Sequence, residues 1–404
     1  MKFSSLVRLL VILPFCLILG GSCSRADLSA SSSSSTRSAS QNFQSIRNSA
    51  YPRTAANLPR PAAALSPQAG PEQILQDQPN QQSQQDQTAQ QNQPAPRPLT
   101  IGETWLPLWE KLRADGLNQE EIAYLFIRLE DPSQDPMGRK IQELYTNQFI
   151  RPPRPASTPD TSPNDTGIPR PWYRGFVTEA NAKVCRTFIN AHADAFKAAE
   201  EEYGIPPEVG AALLFVETRL GEYLGEHNAF LTLASMAISR SPEAISDWME
   251  KLPGIEDHLD WVNLRMADKA DWAYSELRAL LRYCLENGID PFQLPSSAYG
   301  AIGLCQFMPS NLSRYAVDGN GDGIIDLFDQ ADAIASLSNY LGKHGWKLNM
   351  SVDQQIKVLK RYNNLSVYAN TILALAAKVS QIPGRPAVNR ALPKPPGAIT
   401  NAAN

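Results

Sequence analysis

Histidine is scarce in this 404-residue chain: the four copies, His192, His227, His258 and His344, lie far apart and none belongs to an HExxH pattern. That spacing argues against a catalytic zinc. Charge of one sign is also missing: the formal net charge is −4 with 19% charged residues, the wrong balance for a basic surface that binds nucleic acid. No apolar run reaches the length of a comfortable membrane span, the longest being residues 9–21. Cysteine is limited to Cys16, Cys23, Cys185, Cys284 and Cys305, and the sequence does not say which of them pair. What remains, a chain 43% hydrophobic, suits a globular core over part of its length.

The first residues read as an export signal. Lys2 and Arg8 precede the apolar stretch, and Gly20-Gly21-Ser22-Cys23 follows it directly. This arrangement resembles the lipobox of bacterial lipoproteins, which implies that Cys23 is lipidated; the alternative is ordinary cleavage after Ala26. Either route makes an exported protein. Beyond it, Ser, Ala, Pro, Asn and Gln dominate as far as residue 98, including a Gln-rich run over residues 81–93. Such a composition buries too little apolar area to offset chain entropy, so a disordered tether is expected.

Helical periodicity begins near Trp105. Trp105, Leu108, Trp109 and Leu112, then Ile122, Leu125 and Phe126 after Gly116, predict two short amphipathic helices whose aromatics belong to a core. A Pro-rich connector covers residues 151–171. One long helix is expected over 178–204, a new one from Pro206-Pro207, and others near 268–287, 309–316, 330–344, 352–362 and 366–379. Alternating strand patterns are few, so the fold class is mainly α with long loops.

Residues 209–216 are apolar on every face, so their helix must be buried all round, and Glu217 stands at its end. Burial disfavours a charged carboxylate and raises its pKa, which suits a general acid. Taken alone, Glu217 fits equally well as a structural partner of Arg219. Far along the chain, residues 297–310 combine small residues, which permit close backbone approach, with polar groups that can bind sugar hydroxyls and amides.

Four blocks in order, Gly204-Ile-Pro-Pro-Glu208 leading to Val216-Glu217-Thr218-Arg219, the loop ending Gln306-Phe307-Met308-Pro309-Ser310, residues 318–329, and Tyr362-Asn363-Asn364 with Tyr368-Ala369-Asn370, resemble the membrane-bound lytic transglycosylase B family. That family belongs to the soluble lytic transglycosylase superfamily, and the resemblance implies a goose-lysozyme-like helical fold. It implies that Glu217 first protonates the bond between N-acetylmuramic acid and N-acetylglucosamine, then acts as base toward the muramoyl C6 hydroxyl, leaving a 1,6-anhydro end. By position, Ser297 and Gln306 would align sugar or stabilise charge, Tyr362, Asn363 and Tyr368 would contact substrate or Glu217, and Tyr340 would stack on a ring; core packing is an equal alternative for each tyrosine. The expected organisation is a signal peptide over 1–22, a tether over 23–98, a catalytic domain over 99–382 and a loose tail over 383–404. Within the catalytic domain, a helical piece over 104–150 and the connector precede a lysozyme-like core over 172–382. The implied partners are peptidoglycan glycan strands and, through the lipid, a membrane, with the outer membrane favoured and the periplasm as compartment. Cell-wall synthesis or division proteins are left open.

The segment from Asp318 follows an EF-hand pattern: Asp318, Asn320, Asp322, Asp326 and Asp329 at positions one, three, five, nine and twelve, Gly323 at six, and the Ile324 carbonyl at seven. A structural calcium ion is expected there. Two competing functions keep the same groove, a hydrolytic muramidase that releases a reducing sugar and a peptidoglycan-binding lipoprotein without turnover.

Overall fold

The computed structural model describes residues 100–151 and 168–383, which divide between residues 130 and 131 into two compact units. The expected signal, Cys23, the tether and the tail lie outside the described residues. In the first unit, α1 (Leu106–Ala114) starts with proline in its first turn, and α2 (Gln119–Ile127) starts where the Asn118 side chain accepts from Glu120 N at 3.0 Å. Trp105, Leu108, Leu112, Ile122, Leu125 and Phe126 bury together as core, and Trp105 Nε1 donates to Glu130 O at 2.8 Å. Trp109 is half-buried.

The second unit is almost wholly helical. Its elements are α3 (Asp135–Tyr145), α4 (Glu179–Ala191), α5 (Ala193–Tyr203), α6 (Pro207–Thr218), α7 (Ala229–Ile238), α8 (Ser246–Met249) and α9 (Leu259–Asn287), then α10 (Pro309–Tyr315), α11 (Gln330–Lys343), α12 (Val352–Tyr362) and α13 (Ser366–Ser380). Two short antiparallel strands, β1 (His227–Asn228) and β2 (Pro295–Ser296), pair His227 with Ser296 and Asn228 with Pro295.

The all-apolar segment becomes α6, whose residues 209–216 are all buried, against α4 and α13 above all and against α5 and α11. Each large apolar side chain buried this way contributes about 1.5–3 kcal/mol, so α6 is held firmly by its surroundings. The single helix expected over 178–204 is instead two helices broken at His192, whose φ of −117° and ψ of 36° leave the helical range. No proline or glycine marks the break. The helix expected near 268–287 begins earlier, at Leu259, and three helices have no counterpart among the predicted ones, α3, α7 and the short α8. α7 is apolar on nearly every face and lies buried against α9, so it carries no amphipathic period. The three cysteines of this unit are buried and unpaired.

Candidate active site

α6 ends abruptly after Glu217. Arg219 and Leu220 both take left-handed backbone, at φ 54° and 64°, and Leu220 N returns to Leu214 O at 3.2 Å, closing the last turn as a Schellman-type cap. The Arg219 guanidinium lies 4.2 Å and 4.5 Å from the ring centroids of Phe176 and Phe215. It therefore packs on aromatic faces and is not the partner of Glu217.

The partner is Tyr368 on α13, whose hydroxyl donates to Glu217 Oε1 at 2.5 Å. Burial pushes the Glu217 carboxyl up to about 7, and the Tyr368 hydrogen bond, which favours the ionised form, offsets part of that rise. Glu217 itself is half-buried, because one side opens onto a groove.

Ser297, Gln306, Tyr340, Tyr362 and Asn363 line that groove with Glu217, although they lie 80 to 146 residues further along the chain. Tyr368 does not line it: the ring is 0% exposed, so of the two roles open to it, contact with substrate is corrected to contact with Glu217. Tyr340 is also mostly enclosed. His344 stacks on it at 4.1 Å between centroids, Tyr315, Phe307 and Tyr362 crowd its edges, and its hydroxyl donates to Arg361 O at 2.7 Å. The ring is a wall of the groove, with one face already taken by His344. Glu222 and Glu226 are exposed and stand outside the lining.

The glutamine loop is held from several sides. Gln306 sits at φ 51°, a left-handed conformation that costs an L-residue of order 1 kcal/mol or more and persists where the surroundings over-determine it. Its Nε2 donates to Gly303 O at 3.1 Å. The Thr218 hydroxyl, next to Glu217, donates to Leu304 O at 3.1 Å, which ties the end of α6 to this loop. Tyr362 donates its hydroxyl to Cys305 O, and the Cys305 thiol reaches Ala333 O at 3.1 Å. Ser297 Oγ accepts from Ala301 N at 3.1 Å, which leaves the hydroxyl proton for a ligand.

The acidic segment is tied to the same loop, because Leu304 N donates to Leu327 O at 2.9 Å and Leu327 is fully buried. Gly323 at position six has φ 87°, as the sharp turn of such a loop requires. Asp318 accepts from Gly321 N and Gly323 N, Asn320 from Asp322 N, Asp322 from Ile324 N and Asp326 from Phe328 N, while Asp329 caps α11 through Ala331 N. The donors are all oxygen, the chemistry a hard cation takes. They are not drawn together: among the described residues no three His, Cys, Asp or Glu are gathered closely enough to hold a metal ion. A residue the pattern left out organises the turn. Asp332, 0% exposed, accepts from Gly319 N and Asp326 N at 2.8 and 2.7 Å. Arg139 and Tyr299 also line the groove and were not singled out; Tyr299 lies inside the small-residue motif, whereas nothing in the sequence around Arg139 points to it.

A helical lysozyme-like body in which one half-buried carboxyl opens onto a groove is the class that the fold and site define. Residues 103–358 match the transglycosylase SLT domain, more than half of the chain, and the protein belongs to that family. It is 31% identical over 206 residues to membrane-bound lytic murein transglycosylase B of Escherichia coli K12, covering 51% of this chain and 48% of that protein. The match thus spans about half the length of that relative. The fold is shared with soluble lytic transglycosylase SltB1 from Pseudomonas aeruginosa, at a TM-score of 0.50 and 22% identity over 69% of this chain and 99% of that one. It is shared equally with the Escherichia coli lytic transglycosylase Slt35 solved with bulgecin A, at a TM-score of 0.50 and 21% identity over 70% and 96%.

Proposed function

We propose that the protein is a lytic transglycosylase that cuts the β-1,4 bond between N-acetylmuramic acid and N-acetylglucosamine in peptidoglycan. The observation that carries this reading is Glu217, raised to about 7, as the one carboxylic acid among the described residues lining the groove. Enzymes that hydrolyse such bonds with water generally employ two carboxyl groups about 5–9.5 Å apart. A single acid suits a reaction in which the nucleophile is already on the substrate. Glu217 gives its proton to the glycosidic oxygen as the bond to C1 breaks. The resulting carboxylate then takes the proton of the muramoyl C6 hydroxyl, whose oxygen closes on C1. The acid ends protonated as it began, no water is consumed, and the product is a 1,6-anhydromuramoyl end. Ser297, Gln306 and Asn363 supply polar contacts along the groove, and Tyr362 and Tyr340 form its apolar wall. Mass spectrometry of digested sacculi tests the reaction: products lacking one water are expected, and products of full hydrated mass would make it a muramidase.

Activity should fall as pH rises through about 7, because only the protonated Glu217 can act as acid. Removing the Tyr368 hydroxyl removes a bond that favours the ionised form, so Tyr368→Phe should move that alkaline limb to higher pH while lowering the rate, as the carboxyl loses its orientation. A pH–kcat profile checks this; a limb that stays in place or moves to lower pH would contradict the assignment.

The segment Asp318–Asp329 is proposed to bind calcium in a structural role, supported by its oxygen spacing, by Gly323 and by its tie through Leu327 to the glutamine loop. Saturating calcium should raise the melting temperature by about 5–10 °C over chelator-treated protein, and Asp318→Asn should remove most of that rise. Identical melting with calcium and chelator would exclude the ion. Export through residues 1–22 and lipidation at Cys23, which place the enzyme on a periplasmic membrane surface, complete the proposal.

A further inference from the structure

Arg139, on α3, lines the same groove as Glu217. The charged groups around it are committed elsewhere. Asp135 accepts from Trp248 Nε1 at 3.2 Å, Lys140 pairs with Glu143 at 3.2 Å and sits 4.5 Å from the Tyr299 ring centroid, and Glu143 also accepts from the Tyr299 hydroxyl at 3.1 Å. Arg139 is exposed, and among the described residues no carboxylate pairs with it.

The setting of α3 is fixed. A Cβ on Gly138 would fall 2.2 Å from the Trp248 ring, so the helix and the indole meet at closest approach and Arg139 is placed by that contact. With Glu217 protonated, Arg139 is the charged group among the described lining residues. A neutral sugar has no need of that charge, whereas a carboxylate fits the planar fork of a guanidinium.

We infer that Arg139 is a specificity-determining residue that receives a carboxylate borne on the lactyl branch of the muramoyl unit, an inference that rests on the proposed function. The carboxylate has two sources: the lactyl group itself where no peptide is attached, or the peptide stem where one is.

Wild type, Arg139→Ala and Arg139→Lys would be compared on peptide-bearing glycan, on glycan stripped of stems to free the lactyl carboxylate, and on both after conversion of carboxyls to amides. For Arg139→Ala, kcat/KM should fall about tenfold, mainly through KM, on a carboxylate-bearing glycan. That penalty should shrink at least fivefold after amidation, and Arg139→Lys should recover part of the loss. A penalty confined to stripped glycan assigns the lactyl carboxylate, and one confined to peptide-bearing glycan assigns the stem. Equal penalties before and after amidation overturn the inference. Failure of the wild type to form anhydro ends on any glycan would instead overturn the function beneath it.

Discussion

Glu217→Gln should lower the rate of glycan cleavage by about 10²–10⁴-fold while sacculus binding changes little. Glutamine keeps the length and an acceptor for the Tyr368 hydroxyl, so the groove keeps its shape, but an amide cannot donate the proton that the leaving oxygen needs. The same substitution carries a second signature. The folded carboxyl holds its proton up to about 7, whereas an unperturbed one loses it near 4.5. The folded state therefore binds more protons than the unfolded chain between those values, and stability falls as pH rises through that window. Above about pH 7 the wild type carries the full cost of a buried charge that the Gln variant avoids, so the variant melts higher at pH 8 and gains nothing at pH 4. A variant within tenfold of wild-type activity would remove Glu217 from the reaction; a variant that melts below wild type at pH 8 would remove the burial argument.

Gly225→Ala should be the most damaging of the conservative substitutions near the groove. Gly225 has φ 104°, and a Cβ there would stand 1.9 Å from Ser296 O and 2.9 Å from Ser297 N. Backbone cannot swing aside as a side chain can, so β2 must move, carrying Ser297 out of the groove. A loss of about 3–5 kcal/mol is expected, lowering the melting temperature by roughly 10 °C and taking most activity with it. Gly288, at the end of α9, makes the comparison: its φ is 66° but nothing lies within 4 Å of a built Cβ. Gly288→Ala should cost only about 1 kcal/mol. Equal melting of the two variants would show that the strand can yield.

Parts of this arrangement were legible before any coordinates. The eight apolar residues ahead of Glu217 required a helix buried on all sides, and α6 is one. Small and polar residue types drew attention to the motif around Gln306, the family resemblance pointed to Tyr362-Asn363, and the fold brings both to Glu217. What escaped notice did so for physical reasons. α7 is nearly uniformly apolar, and a buried helix without a polar face carries no period to count. The break at His192 comes from a single residue leaving helical backbone, with no proline or glycine as signal. The position of Tyr368 in the motif left substrate, Glu217 and core packing open, because it does not reveal that the ring is enclosed and that the hydroxyl reaches the carboxylate. Arg139 lines the groove of a carboxyl 78 residues further along the chain, and Asp332 organises a turn through its amides; neither relation leaves a local pattern.

The account depends on one acid staying neutral where most would be charged. Labelling the glutamate side-chain carboxyls with carbon-13 and following the resonance absent from Glu217→Gln through a pH titration measures that state directly. A midpoint near 7 is expected, moving upward in Tyr368→Phe. A midpoint near 4.5 would mean that the carboxyl is ionised at working pH and cannot start the reaction as an acid.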